Sequence, residues 1–498
     1  MDCVVLDGKT LTLEQLEAVA RRGTRVKLAP EARQRMAAAR AGIEARIAAG
    51  ETIYGVNTGF GRLADVRIPA DQLALLQGNL LRSHACGVGE PFPEDAVRAM
   101  LLLRANVLAG GYAGARPVVV DRLLDMLNAG VHPVVPCQGS VGASGDLAPL
   151  AHLALVLIGE GEAVYQGERV SGEEALGRAG LQRLKLAPKE GLALINGTQV
   201  MAAVAALALV DAERITAAAD VIAAMSVDAM EGTDTAFEAA IHEARPHPGQ
   251  LASAAALWAL LQGSEMRASH VSCTRVQDAY CLRCTPQVHG ACRDALAHLR
   301  GKLAIEINSA TDNPMVLPDG RVVSGGNFHG AAVAAAFDYA TIALTGLASI
   351  SERRSARLVT PEQSYLPAFL VDASGLNSGF MMAQVTAAAL VSECKTLAHP
   401  ASVDSIPTSA GREDHVSMGT WGARKLALVV EHTRLVLGIE FLQAAQGFEF
   451  RRPRRSSPAL ERAHARLREV VPPLDADRYL HPDLLAAARI VESLAPAQ

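Results

Sequence analysis

Gln199-Val200-Met201-Ala202-Ala203-Val204-Ala205-Ala206-Leu207-Ala208-Leu209-Val210 opens a stretch, 199–226, that has no glycine or proline and is apolar around its whole circumference if helical. Alanine and leucine, both strong helix formers, dominate it. A helix with no face to give to water belongs in the middle of a bundle. Two other stretches read alike: 147–158, which ends at Gly159, and the Ala-rich 329–351. The segment 191–210 is uncharged for the length of a bilayer span. Asn196, Thr198 and Gln199 lie in its first half, so a buried core helix is the better reading.

The rest of the chain agrees. Its 498 residues are enough for two or three domains. Half are apolar but only 4% aromatic, so Ala, Leu and Val supply the core, and the fold should be mostly helical rather than disordered. A further helix is expected from Pro117 through 121–127, stopped by Pro133 and Pro136. Residues 1–110 read as loop-rich, with glycines at 55, 59, 61, 87 and 89; residues 111–498 read as helical. The expectation is a mainly all-α protein: a long central helical bundle, 111–498, with a smaller N-terminal region, 1–110, packed on one end.

Acidic residues (52) outnumber basic ones (47), which argues against a nucleic-acid partner. The opening MDCVVLDGKTL has acidic residues where a secretory signal needs basic ones, and no apolar run follows. Eight unevenly spaced cysteines do not form a secreted disulfide framework. A soluble cytoplasmic protein with free thiols and no membrane contact is expected.

Each apolar helix is preceded by a polar, glycine-containing loop: Gly142-Ala143-Ser144-Gly145-Asp146, Ile195-Asn196-Gly197, and Ser324-Gly325-Gly326-Asn327-Phe328. Helix N-termini carry unpaired N–H groups and about half a positive charge. Parallel helices would bring three such ends to one electron-demanding site. Ordinary N-capping by Asp146, Asn196 and Asn327 would explain the same residues.

Other chemistries fit poorly. Gly139, Gly142 and Gly145 are spaced G-x-x-G-x-x-G, no strand of a βαβ unit precedes them, and no phosphate-binding G-x-x-x-x-G-K-[ST] exists. Cys281 and Cys284, followed by His289 and Cys292, have the wrong spacing for a zinc knuckle, so no metal is expected. His242-Glu243 lacks the second histidine of a metalloprotease helix. The basic run 451–455 reads as solvated surface or an inter-subunit contact.

What remains is Gly139-Ser140-Val141-Gly142-Ala143-Ser144-Gly145-Asp146-Leu147-Ala148-Pro149-Leu150. It resembles the signature of the aromatic amino-acid ammonia-lyases, in which an internal Ala-Ser-Gly cyclises into 4-methylidene-imidazole-5-one. The chemistry suits these residues. The Gly145 nitrogen must reach the Ala143 carbonyl, which needs a residue without Cβ in a tight turn, and Ser144 then loses water to leave a methylidene. Tyr54-Gly55-Val56-Asn57-Thr58-Gly59-Phe60-Gly61, Leu194-Ile195-Asn196-Gly197-Thr198 and the 276–284 segment resemble further family motifs. So do Gly325-Gly326-Asn327-Phe328-His329, Asn377-Ser378-Gly379-Phe380-Met381 and Glu413-Asp414-His415-Val416-Ser417-Met418.

The resemblance, over residues 50–450, implies an ammonia-lyase/fumarase-like helical architecture. It also implies a methylidene-imidazolone group formed autocatalytically from Ala143, Ser144 and Gly145, and no external cofactor. Ser83-His84 is similar to the histidine-specific members, where phenylalanine and tyrosine enzymes carry Phe-Leu or His-Leu; Glu413 is similar to them where others carry Gln. His84 can meet an imidazole donor or acceptor, and a carboxylate suits an imidazole N–H but not a phenyl ring. The implied reaction is L-histidine to trans-urocanate and ammonia, the first step of histidine degradation. The alternatives are a tyrosine or phenylalanine lyase, an aminomutase, or a scaffold that kept the fold and lost the chemistry.

The implied roles follow. Tyr54 is the base for a scarcely acidic β-proton. Tyr280 assists proton transfer or formation of the electrophile, and Arg283 binds the substrate carboxylate bidentately. Gln277, Tyr280 and Arg283 share a face if their segment is helical. Asn196 orients the prosthetic ring or the carboxylate, Gln277 bonds the ring, Phe328 packs against it, and Asp146 caps its own helix and aids cyclisation. Arg412 departs from the Gln of some relatives. The resemblance implies a homo-oligomer, a tetramer of D2 symmetry with shared active sites.

Overall fold

The computed structural model describes residues 3–271 and 276–495. The chain divides into two compact units, each drawn from three segments: Met1–Leu207, Arg300–Phe337 and Pro400–Arg424 in the first, Ala208–Leu299, Asp338–His399 and Lys425–Gln498 in the second. The boundaries at 207, 299, 337 and 424 fall inside the four longest helices, Gln199–Ala229, Thr285–Glu306, Ala331–Leu358 and Gly419–Arg451. Residues 1–110 lie wholly within the first unit. They carry four helices, Leu13–Arg22, Pro30–Ala48, Leu73–His84 and Glu94–Ala109, so the region is more helical than its glycines suggest. Gly55, Gly59 and Gly61 fall in the mostly irregular segment between the second and third of these.

The first unit builds its core on Glu94–Ala109, buried at every position from Ala96 onward. Beside it packs Pro117–Ala129, which opens on its proline and closes at Gly130 with φ 76°. Leu147–Leu157 is apolar on nearly all faces and nearly all buried, as its sequence demands. The uncharged 191–210 segment is buried throughout, but it is two helices, Glu190–Ile195 and Gln199–Ala229. The break falls at Asn196-Gly197-Thr198. Every strand among the described residues belongs to this unit, in small sheets of two or three strands.

The regular elements of the second unit are all helices among its described residues. Its core holds an ion pair with both partners fully buried: Arg354 grips Glu440 at 2.5 and 2.9 Å, and Ser226 and Ser351 donate to the same carboxylate at 2.6 Å. A buried pair is tolerable only when its remaining lone pairs are satisfied in this way. Among the described helices, Ala331–Leu358 is long and apolar enough to cross a membrane, and 67% of its most apolar window is buried in protein.

Candidate active site

The polar loops that precede the apolar helices do meet, all within the first unit. Gly145 and Gly197 lie back to back as an isolated parallel bridge, with Asp146 N–H donating to Gly197 O at 2.8 Å and Gly197 N–H to Ser144 O at 3.2 Å. Both contacts need glycine. Gly145 has φ +73°, and a Cβ there would lie 2.1 Å from the Gly197 oxygen. Around Met201 gather Gly142, Gly330 and Gly419, the last two at the starts of helices Ala331–Leu358 and Gly419–Arg451. Four helix N-termini thus converge, one more than the sequence suggested. Its loop, Ser417-Met418-Gly419, has the same polar and glycine character as the other three.

The N-capping that would have been the ordinary explanation of these three residues does not form. Asp146 makes no cap to its own helix; its Oδ2 accepts from the N–H groups of Val200 and Met201, at 3.0 and 2.9 Å, at the start of the neighbouring Gln199 helix. Its Oδ1 accepts from Thr420 at 2.5 Å and Ser140 at 3.3 Å. Burial pushes the Asp146 carboxyl up to about 6 against these hydrogen bonds. Asn196 donates to Asp312 and to the Asn313 carbonyl, and Asn327 donates to the Ala310 carbonyl. These residues tie loops to loops and not helices to their own ends.

Over this junction lies a cavity of about 590 Å³, lined among others by Tyr54, His84, Ser144, Asn196, Phe328 and Glu413. A smaller one of about 300 Å³ is lined by Ser83, His84, Ala143, Gly145 and Glu413. Seven sequence-predicted residues, Ala143 among them, therefore share the larger chamber, and Gly145 lines the smaller one. A larger cavity, about 800 Å³, lies in the second unit; it is walled mainly by alanines, and its Asp220 is already bound to Arg293 and His289.

The chamber's polar groups are held in set orientations. The Tyr54 hydroxyl oxygen accepts from Gly61 N–H at 3.1 Å. His84 Nδ1 lies 2.9 Å from the Leu80 carbonyl, which only accepts, so Nδ1 carries the hydrogen and Nε2 is left as an acceptor. Burial pushes the His84 imidazole below its usual range, while the Leu80 bond and nearby Glu413 pull the other way. His84 also ends its own helix, Leu73–His84, and bonds one of that helix's last carbonyls while lining the cavity. Ser83 is exposed and donates to Leu80 O, 3.1 Å away. Glu413 receives Ser144 Oγ at 3.2 Å on Oε1, and Thr408 and Ser409 at 2.7 and 2.8 Å on Oε2. Arg412 is exposed and lines the same chamber.

Gln277, Tyr280 and Arg283 are not among the residues lining this chamber. They do form a group of their own: Arg283 donates to Gln277 Oε1 at 2.9 Å, and its guanidinium sits 4.7 Å from the centre of the Tyr280 ring. They do not share a helix face, because the helix here is only Tyr280–Arg283 and Gln277 precedes it. Tyr280 is 71% exposed.

Sequence reasoning missed His329 and His415, which line the chamber with their rings stacked at 5.7 Å and 4°. Both stand inside motifs already quoted, next to Phe328 and Asp414, and that adjacency was the available signal. It also missed Lys189 and Asp312, a fully buried ion pair at 2.7 Å behind Asn196. The thiols at Cys281, Cys284 and Cys292 are free, and burial pushes Cys292 up to about 12. Cys273 lies outside the described residues. Among the described residues no three His, Cys, Asp or Glu side chains are placed to hold a metal ion.

The aromatic amino acid lyase family model matches residues 11–469. The chain belongs to the aromatic amino acid lyase family. This lyase is 58% identical to a histidine ammonia-lyase of Anaeromyxobacter sp. strain K, over 99% of both chains. Its fold superposes on the crystal structure of histidine ammonia-lyase from Trypanosoma cruzi with TM-score 0.92 at 46% identity, covering 99% of this chain and 93% of that one. A tyrosine aminomutase from Streptomyces globisporus superposes as well, TM-score 0.93, at 38% identity over 99% and 97%. The mainly-α fold is common to all of these, so substrate must be argued from the chamber.

Proposed function

We propose that this lyase converts L-histidine to trans-urocanate and ammonia, the first step of histidine degradation. The observation that carries the reading is the pair His84 and Glu413 in one chamber, an imidazole acceptor at Nε2 and a carboxylate. An imidazole N–H has a partner in either, whereas a phenyl ring would leave both desolvated without return. The name of the 58% identical relative supports the same substrate.

The residues present fit an internally formed methylidene-imidazolone. Gly145 is in the tight left-handed turn that cyclisation onto Ala143 requires, and the Ser144 hydroxyl donates to a carboxylate, Glu413. The Ser144 carbonyl already accepts from Gly197 N–H close to the positive ends of the helices. Such a group supplies an electrophile that makes the substrate's nitrogen a good leaving group. The chain's own residues do the rest. Tyr54, held by Gly61 N–H, takes the β-proton at its hydroxyl oxygen. His84 and Glu413 orient the ring. Phe328 narrows the chamber and excludes water. From a second copy of the chain, Arg283 would bind the carboxylate, Gln277 would bond the prosthetic ring and Tyr280 would assist proton transfer.

That last assignment accompanies a homotetramer with shared sites. In its support, Tyr339, Ile342, Met382 and Val385 stand about half-exposed or more on helices of the second unit, apolar surface that another copy would cover. A soluble cytoplasmic enzyme is consistent with the burial of Ala331–Leu358, the helix among the described residues that is long and apolar enough to cross a membrane. The test is direct. Purified protein should raise the ultraviolet absorbance of urocanate from histidine at least tenfold faster than it raises that of coumarate or cinnamate from tyrosine or phenylalanine, and should scatter light as a tetramer. Preference for tyrosine would contradict the substrate, and a monomer the shared site.

A further inference from the structure

Asn196 is 2% exposed and lines the chamber, and what lies behind it decides which end of its amide is free. Its Nδ2 donates to Asp312 Oδ1 at 3.1 Å and to the backbone carbonyl of Asn313 at 3.0 Å. A backbone carbonyl can only accept. Asp312 can only accept as well, because Lys189 Nζ donates to its Oδ2 at 2.7 Å and Asn313 N–H to its Oδ1 at 2.7 Å. Both amide hydrogens are spent on these partners, so the amide cannot be turned over. Its Oδ1 is buried and has no hydrogen-bond partner. An acceptor left without a donor in a buried place is destabilising unless a donor arrives in the working state.

We propose that the buried Lys189–Asp312 pair is a positioning device that commits Asn196 to act as a hydrogen-bond acceptor for the α-amino group of the substrate. This role differs from service to the carboxylate or the prosthetic ring, for both offer only acceptors on the side that matters. A carboxylate has no hydrogen to give, and in a cyclised Ala143-Ser144-Gly145 the nitrogens of Ser144 and Gly145 carry none. The imidazole N–H is met by His84 and Glu413. The remaining donor on an amino-acid substrate is its nitrogen, the atom that leaves as ammonia. The two features that order this part of the chamber come from distant segments: Lys189 precedes helix Glu190–Ile195 with φ +79°, and Asp312 follows helix Thr285–Glu306. Burial disfavours the Lys189 ammonium, and Asp312 is the charge that opposes this.

The inference rests on the histidine reading, and two ligands separate the two. L-Histidinol has the amine and no carboxylate; 3-(imidazol-4-yl)propanoate has the carboxylate and no amine. Their dissociation constants would be measured on Asn196→Leu, on the charge-neutral Lys189→Met/Asp312→Asn variant, and on the combination, each checked for the two-water mass deficit of the mature group. Asn196→Leu should weaken histidinol by about ten- to a hundredfold and leave the propanoate within about twofold. Lys189→Met/Asp312→Asn should act in the same direction, more weakly, and should add nothing to the ratio in the Asn196→Leu background, since the pair acts through that amide. Equal losses for both ligands, a loss confined to the propanoate, or a pair effect that persists without Asn196 would overturn the proposal. A parent protein that binds neither ligand would overturn the histidine reading instead.

Discussion

At the scale of single residues, selectivity turns on His84. Its hydrogen is on Nδ1, bound to Leu80 O at 2.9 Å, so Nε2 keeps its lone pair on a side chain that lines the chamber. Replacing His84 by Phe removes that acceptor and leaves a substrate N–H unpaired, which costs about 1–3 kcal/mol, or roughly one to two decades in kcat/KM for histidine. The same change makes the pocket more welcoming to a phenol or phenyl ring, so aromatic turnover should appear. Glu413→Gln should weaken histidine use more than aromatic use. Steady-state rates with both substrates decide it, and an unmoved preference ratio would show that His84 is structural. Much of this was legible in the sequence. Tyr54, His84, Asn196, Phe328 and Glu413 stand in motifs that also fix their local backbone. Lys189–Asp312 was not legible, because the partners are 123 residues apart and neither lies in a recognisable pattern.

At the scale of elements, the sequence located the helix starts and misassigned what holds them. An Asp before an apolar run reads as its N-cap, since the cap is the commonest local use of that residue. Here Asp146 reaches across to Val200 and Met201 and ties the prosthetic loop to the next helix. Only a tertiary contact could reveal that. Gly197 too is in a conformation that side chains rarely adopt, with φ +140° and a would-be Cβ at 2.5 Å from Gln199 Oε1 and 2.6 Å from Thr311 Oγ1. Gly197→Ala should therefore push the Asn196 loop off Gly145 and disturb the turn that must cyclise. The expected outcome is a folded protein, by circular dichroism, in which less than about half the chains mature, with a melting temperature several degrees lower. Full maturation by intact mass would show that the contact is dispensable.

At the scale of the whole chain, reading long apolar stretches as buried helices predicted the fold class, because such helices have no alternative to burial. The compact units could not be read along the chain, since each is assembled from three separated segments and four of their five boundaries cut through helices. The group Gln277, Tyr280 and Arg283 was identified by motif; it belongs to the second unit, whereas the chamber belongs to the first. Everything in this account depends on the electrophile made from Ala143, Ser144 and Gly145. The measurement that tests it most directly is the mass of the proteolytic peptide containing residue 144, in the parent and in Ser144→Ala. The parent peptide should be lighter than its sequence by two waters, and the variant should lack the methylidene, fold as the parent does and retain under a tenth of its turnover. A parent peptide of full sequence mass, or a Ser144→Ala protein that still turns over histidine at the parental rate, would contradict the account.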